Sequence, residues 1–328
     1  MSLFADRLAN RIRAIVRRGG YELTKTHRMH ALLDRQDALL RLAADALRPT
    51  GKGPVVEGIV FSKDRPLQLH LLLRSYLDQV DNPVKLHILY AASNAEFAKA
   101  YDEVAACFKK ANFTFIKESK FKATLLQLLD SLKAPKLFFL TDDDVFVNRI
   151  DMDRHASIDP REGLLNVVMS PSLTHCYTTQ RSMEVPEFNK VKGHPELLEF
   201  AWGSSTDMWD YPMMVDGTLF DTAEIRLMAK LTEYKAPNSF EGALMEFAHG
   251  YRQRKGYCYS KCIVINLPLN KVQTENANHA GSSGVEALLQ TWQEGMEIDP
   301  TPFYGMDFTG FKTREPLDEM DIVVKRRG

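Results

Sequence analysis

The chain has 328 residues, 45% of them hydrophobic and 26% charged, and its formal net charge is -1 at pH 7. This length and apolar content predict a large core, in one catalytic domain with appendages rather than two equal domains. A net charge close to zero argues against a nucleic-acid partner. The four cysteines lack paired zinc spacing and indicate reduced cytosolic thiols, at positions Cys107, Cys176, Cys258 and Cys262.

Residues 1–53 predict a helical extension and a linker, followed by the main domain at 54–328. Residues 3–18 place apolar side chains at helical spacing beside five arginines, which is typical of a basic amphipathic helix. Two interpretations stay open for residues 1–18: contact with an anionic membrane surface, or packing on the main domain or a second subunit. Because no apolar run is long enough to span a membrane and no signal peptide is visible, we expect a cytoplasmic protein, in the first case at the inner membrane face.

Strands and helices alternate from residue 56 onward. Strand-like segments at 56–61, 85–90, 113–117 and 137–141 alternate with helical segments at 66–76, 95–109 and 121–132. Pro66 fits the first position of a helix that follows directly on the first strand. This order predicts an α/β fold with a mostly parallel central sheet flanked by helices.

Residues 137–147 are the most informative stretch, because an apolar strand ends in Asp142, Asp143 and Asp144. Open α/β sheets bind ligands at the carboxyl ends of their strands, so the aspartates are expected at the mouth of a cleft. Alternation along a strand points Asp142 and Asp144 the same way and Asp143 to the other side. Such oxygen ligands suit Mg²⁺ or Mn²⁺. The alternative is a solvated acidic turn.

With the turn Ser62 to Pro66 and the motif Thr141 to Asp144, the chain resembles the nucleotide-sugar-dependent glycosyltransferases of the GT-A fold, over about residues 55–280. Both family 2-like enzymes and exostosin-like enzymes of bacterial polysaccharide synthesis are similar. The resemblance implies a GT-A domain, a nucleotide-sugar donor, a carbohydrate or lipid-linked glycan acceptor, and Mn²⁺ or Mg²⁺ held by an Asp-x-Asp motif.

Several residue roles follow from the resemblance. It implies metal ligation by Asp142, Asp144 and His279, nucleotide binding by Ser62, Lys63, Arg65, Asp142, Asp143 and Lys271, and catalytic roles for Glu241 and Asp216. Each role has a plainer alternative: an ion pair for Arg65, a self-capped turn for Asp216, the first turn of a helix for Glu241, and a surface position for His279. Whether the reaction inverts or retains the anomeric centre is left open.

Three further expectations concern the second half of the chain. Residues 186–206 predict a flexible segment over the substrate, and 238–254 predict one helix. Trp202 and Trp209 are either sugar-stacking platforms or buried wedges. Two other functions remain open, a nucleotidyltransferase acting on sugar phosphates and a catalytically silent carbohydrate-binding or scaffold protein.

Overall fold

The computed structural model describes residues 26–48, 53–176, 181–205, 207–270, 272, 283–306 and 322–328. The predicted amphipathic helix at 3–18, Lys271 and His279 lie outside the described residues, as do residues 49–52 of the predicted linker. The described part of the predicted helical extension forms a helix that ends at Leu47.

The described residues form an α/β fold. The helices are α1 (Thr26–Leu47), α2 (Pro66–Gln79), α3 (Ala95–Cys107), α4 (Phe121–Ser131), α5 (Met152–Ser157), α6 (Thr222–Leu231), α7 (Pro237–Leu244), α8 (Ala248–Arg252) and α9 (Val285–Gln293), with 3₁₀ turns at Asp207–Asp210, Met245–Phe247 and Thr301–Phe303. The strands are β1 (Val56–Lys63), β2 (Val80–Asp81), β3 (Leu86–Ala91), β4 (Phe113–Lys117), β5 (Lys136–Thr141), β6 (Asp144–Phe146), β7 (Ile150–Asp151), β8 (Gly163–Asn166), β9 (His175–Cys176), β10 (Arg181–Ser182), β11 (Asn189–Val191), β12 (His194–Ala201), β13 (Leu219–Asp221), β14 (Lys255–Tyr259), β15 (Val264–Asn266), β16 (Met296–Ile298) and β17 (Val324–Arg326).

The central sheet has the strand order β13-β5-β1-β3-β4. Its strands are parallel except β13, which pairs antiparallel to β5 at one edge. Apolar side chains cover both faces of the sheet: Val60 and Leu140 belong to one buried cluster, and Ile59 and Phe139 belong to the other. The predicted alternation of strands and helices around a mostly parallel sheet is therefore confirmed.

A second sheet, in the order β11-β12-β14-β8, corrects the expectation for residues 186–206. The segment is not one flexible stretch, because β11 and β12 form a hairpin and β12 pairs with β14 along five residues. Gly193 makes the hairpin turn with a φ of 85°. Trp202 and Trp209 are buried, 8% and 0% exposed, so both indoles are wedges in the core rather than platforms for a sugar.

The strand that leads into the aspartates ends before them, although the predicted alternation continued it through Asp144. Strand β5 ends at Thr141, Asp142 and Asp143 form a turn, and Asp144 begins β6. Strand β6 pairs antiparallel with β15, which sets Asn266 opposite Asp144. The predicted alternation of the three aspartates along one strand is thus wrong, because the chain turns between β5 and β6.

The predicted helix at 238–254 is likewise divided, into α7, a 3₁₀ turn and α8. Helix α7 begins at Pro237, and the Ser239 hydroxyl accepts a hydrogen bond from the amide of Ala236 at 3.0 Å. In the ranges that the structure describes, no helix combines the length and the apolar character needed to cross a membrane.

Candidate functional site

The candidate site lies at the carboxyl ends of β1 and β5, the edge at which open α/β sheets bind ligands. Asp142 is held there by β1: its Oδ2 accepts hydrogen bonds from the Ser62 hydroxyl at 2.8 Å and the Lys63 amide at 3.1 Å. Ser62 is in turn 2.6 Å from the Tyr101 hydroxyl. Asp142 is 4% exposed, so these contacts fix a buried carboxyl at the end of the first strand.

Arg65, at the turn between β1 and α2, bridges two of the acidic side chains. Its Nη1 lies 2.9 Å from Asp142 Oδ1 and 3.0 Å from Asp143 Oδ2. Its Nε donates to Asn270 Oδ1 at 2.8 Å, and its Nη2 donates to the Asn270 carbonyl oxygen. Burial alone would lower the pKa of Arg65, but Asp142 and Asp143 raise it, so the guanidinium stays charged.

Asp143 and Asp144 share a second partner, Asn266 on β15. The Asn266 amide donates to Asp143 Oδ1 at 3.1 Å and reaches Asp144 Oδ1 at 3.5 Å. Asp144 is fully buried, and its Oδ2 accepts a hydrogen bond from the Thr141 amide at 2.9 Å. The acidic turn, by which we mean Asp142, Asp143 and Asp144, is therefore tied to β1 on one side and to β15 on the other.

A loop before β13 brings Asp216 to the same edge of the sheet. The Thr141 hydroxyl donates to Asp216 Oδ1 at 2.9 Å. The Asn166 amide donates to the Asp216 carbonyl oxygen at 2.9 Å and to the Thr218 hydroxyl at 2.7 Å, so the loop is anchored to the end of β8. Gly217 has a φ of 74°, and its amide donates to the Phe139 carbonyl oxygen at 2.7 Å. Residue 217 is therefore a glycine because this turn needs a left-handed backbone conformation.

Glu241 joins this group from helix α7. Its Oε2 accepts a hydrogen bond from the amide of Val215 at 2.9 Å, one residue before Asp216. Glu241 also forms a side-chain hydrogen bond with Tyr211. Burial raises the pKa of that phenol, and the charge of the Glu241 carboxylate raises it further. Carboxyl groups from three separate segments therefore meet at one end of the sheet.

The electrostatics of these carboxyl groups are strongly perturbed. Burial raises the pKa of Asp142 to about 6 although Arg65 lowers it, and burial together with the charge of Glu241 raises the pKa of Asp216 to about 8. Burial, and then the charges of Asp216 and Asp143, hold the pKa of Asp144 well above its ordinary value. Burial also raises the pKa of Glu241. Such clustered carboxyl groups compete for protons unless a cation compensates them.

The carboxylate oxygens of the acidic turn and of Asp216 are of a type that suits a divalent cation, although their arrangement differs from the predicted one. Within the described ranges, no three His, Cys, Asp or Glu side chains are arranged as a metal cluster. Asp142 is already paired with the Arg65 cation, whereas the hydrogen-bond donors to Asp144 are the neutral amides of Thr141 and Asn266. Mg²⁺ commonly needs only one or two carboxylates beside waters and substrate phosphates, and Asp144 and Asp216 repel each other as such a pair would.

Sequence reasoning missed the neutral side chains that hold the site together. Asn166, Asn266 and Asn270 each contact an acidic or basic residue of the site, yet a single asparagine in a loop or at a strand end gives no motif. Tyr101, in α3, is also a partner of Ser62 that no spacing rule indicates.

Comparisons with known proteins do not assign this chain to a family. No family model and no curated protein sequence matches the chain. Among solved structures, Staphylococcus aureus TarS 1-349 in complex with UDP-GlcNAc is similar at 13% identity and a TM-score of 0.44, covering 70% of this chain and 61% of that one. A nucleotidyl transferase from Methanothermobacter is similar at 9% identity and a TM-score of 0.37, covering 64% and 89%. A Pyrobaculum calidifontis mannosyltransferase in complex with GDP-Man and Mn²⁺ is similar at 16% identity and a TM-score of 0.29, covering 44% and 47%.

Proposed function

We propose that this protein is a glycosyltransferase that moves a sugar from a nucleoside-diphosphate sugar to an acceptor hydroxyl. The observation that carries the proposal is the meeting of the acidic turn, Asp216 and Glu241 beside the buried Arg65 at the carboxyl edge of the sheet. Glycosyl transfer develops positive charge on the sugar ring and negative charge on the leaving phosphate. In this site the clustered carboxyl groups would stabilise the positive charge, and the buried guanidinium of Arg65 would stabilise the negative charge.

The first turn is the proposed nucleotide-binding segment. Ser62 and Lys63 end β1, Arg65 follows in the turn, and α2 starts at Pro66 with N-terminal amide groups that favour anions. The Lys63 side chain is exposed, while that of Arg65 is held by the acidic turn. We assign to Asp142 the role of orienting Arg65 and Ser62, because each of its oxygens accepts a hydrogen bond from one of them.

Asp144 and Asp216 are the proposed holders of Mn²⁺ or Mg²⁺, with Asp143 beside them. When bound, such an ion would neutralise the negative charge that develops on the diphosphate leaving group. The contribution of the protein is to keep the two carboxyl groups close: Thr141 bonds both of them, Asp144 through its amide and Asp216 through its hydroxyl. The resemblance also implies His279 as a ligand of the same metal ion and Lys271 as a contact of the nucleotide phosphates, and both roles remain proposals.

Glu241 is the proposed proton acceptor for the acceptor hydroxyl, and Asp216 the proposed partner of donor-sugar hydroxyls. Because burial raises the pKa of Glu241, its carboxylate binds a proton more readily than an exposed one does. The Val215 amide and the Tyr211 phenol hold it in place on the side of Asp216. We further propose a lipid-linked or surface-polysaccharide acceptor, reached through contact of residues 1–18 with a membrane.

Thermal unfolding with a panel of nucleotides tests this proposal. A nucleoside diphosphate together with Mn²⁺ should raise the melting temperature of the native chain but not that of Asp144→Asn, since binding to the folded state stabilises it. Asp102→Asn, which changes an exposed carboxyl, is the matched control and should respond as the native chain does.

The two competing functions give different results in the same experiment. Stabilisation by nucleoside triphosphates in preference to diphosphates favours a nucleotidyltransferase. No stabilisation by any nucleotide, with or without the cation, contradicts the proposal and favours a silent scaffold.

A further inference from the structure

Helix α1 presents an unusual face to solvent. One side of the helix packs on the domain, where Leu40 is 5% exposed and Ala44 is fully buried. The opposite side carries Leu32, Leu39 and Leu42, of which the last two are 66% exposed. Surface helices ordinarily turn polar side chains outward, so three leucines in this position need an explanation.

The charges on α1 are sorted between its faces. With about 3.6 residues per turn, one arc on the side of α1 away from Leu40 and Ala44 contains only exposed alanine, leucine and arginine side chains: Arg28, Ala31, Leu32, Arg35, Ala38, Leu39, Leu42, Ala43 and Ala46. We call this set the outward face, and His27 and Asp45 lie at its border. None of its members is acidic, so it combines apolar surface with two positive charges.

Of the three acidic side chains of α1, Asp45 borders the outward face, where it is 58% exposed and pairs with Arg48. The other two bind basic or amide groups away from that face. Asp34 is 2.9 Å from His249 Nε2, and the Gln253 amide donates to the same oxygen at 3.0 Å. Asp37 accepts from Arg41 Nε at 2.7 Å. These contacts leave the positive charge of the outward face without an acidic neighbour on that arc.

The helix is also fixed on the domain rather than loosely appended. Arg48, just after α1, donates to Asp221 Oδ2 at 3.1 Å, and Asp221 caps the start of α6. Near its other end, α1 is joined to α8 through Asp34 and His249. The outward face is therefore presented in a constant orientation, which lowers the entropic cost of docking it on a surface.

From this sorting we infer that the outward face of α1 binds an anionic membrane surface. An apolar face that also carries two arginines suits the boundary between acyl chains and acidic headgroups. We favour the membrane over a second copy of the chain because the same face of a second copy has no carboxylate to pair with Arg28 and Arg35, whereas acidic headgroups supply that charge. The chain before α1 points to the same partner, since residues 3–18 are predicted to be apolar and basic as well.

Vesicle co-sedimentation of the full chain tests the inference. The probes are vesicles of phosphatidylcholine alone and vesicles that contain about one third phosphatidylglycerol. The variants are Leu32→Gln/Leu39→Gln/Leu42→Gln and Arg28→Gln/Arg35→Gln. Leu231→Gln, which changes a 69% exposed leucine at the end of α6, is the matched control.

The native chain and the control should bind the anionic vesicles, and each multiple variant should bind them at least about tenfold more weakly. Because all the altered side chains are exposed, the melting temperatures should be unchanged, which separates lost binding from lost folding. Undiminished binding by both multiple variants overturns the inference, and so does a native chain that does not bind. The masses of the native chain and the leucine variant are also compared by sedimentation without lipid. If the variant has half the mass of the native chain, the inference is overturned and the face is a contact between copies.

Discussion

Replacing Asp216 by asparagine should make the protein more stable at neutral pH. Burial and the charge of Glu241 raise the pKa of Asp216 to about 8, from an ordinary value of 3.8. Since the folded pKa lies above the unfolded one, the stability linked to this carboxyl is complete below pH about 4 and is lost as the pH rises toward 8. Asparagine keeps the acceptor for the Thr141 hydroxyl but cannot ionise.

The magnitude follows from the size of the shift. Each pKa unit corresponds to about 1.4 kcal/mol, so the full difference of roughly 4 units sets an upper limit near 6 kcal/mol. Neighbouring carboxyl groups take up protons in place of Asp216, and we expect about 1 to 3 kcal/mol between pH 5 and pH 8.

Urea unfolding in the presence of a chelator, at a series of pH values, measures this difference. Asp216→Asn should unfold at higher urea concentration than the native chain at pH 8, and the two should converge near pH 4. Asp102→Asn should follow the native chain throughout. An Asp216→Asn variant that is less stable than the native chain at pH 8 would refute the electrostatic reasoning.

Three other predictions follow from individual contacts. Arg254→Met should lower the free energy of unfolding by about 3 to 5 kcal/mol in urea, because the fully buried Glu224 loses its ion-pair partner. Gly217→Ala should lower it by about 1 to 3 kcal/mol, because the backbone is left-handed and the new Cβ would lie 2.2 Å from a methyl carbon of Val167. Arg65→Lys should weaken nucleotide binding about tenfold in calorimetry, since an ammonium cannot reproduce the bridge across the acidic turn.

These three outcomes can each fail separately. Native-like unfolding of the Arg254 variant would mean that the buried Glu224 does not depend on this ion pair. Native-like unfolding of the Gly217 variant would mean that the loop relaxes away from Val167. Unchanged nucleotide binding by the Arg65 variant would assign that arginine to the fold alone.

Local sequence signals predicted the sheet well because its strands are apolar and its helices start at strong signals. Strand β5 is buried along its length, and Pro66 starts α2 directly after β1. The end of β5 was misjudged because it depends on a distant strand. Asp144 leaves the line of β5 to pair opposite Asn266, more than a hundred residues later, and no local pattern encodes that pairing.

The charged residues of the candidate site were also visible in the sequence, but their mutual arrangement was not. The shared metal of Asp142 and Asp144 stays a prediction, but the sequence did not indicate that Asp142 accepts hydrogen bonds from Arg65, Ser62 and the Lys63 amide. The local pattern of the β11–β12 hairpin predicts a flexible segment, because its polar, partly exposed residues become ordered only by pairing with the distant β14. In both cases, contacts distant along the chain decide the outcome.

The most direct test of the central claim is transfer of sugar from a panel of UDP-, GDP-, CMP- and dTDP-sugars in the presence of Mn²⁺. The native chain is compared with Asp144→Asn, and Asp102→Asn serves as the control. We predict that one donor turns over with the native chain and the control, and that turnover is lost in Asp144→Asn. Equal turnover by all three proteins, or no turnover of any donor together with no nucleotide binding in calorimetry, would contradict the account.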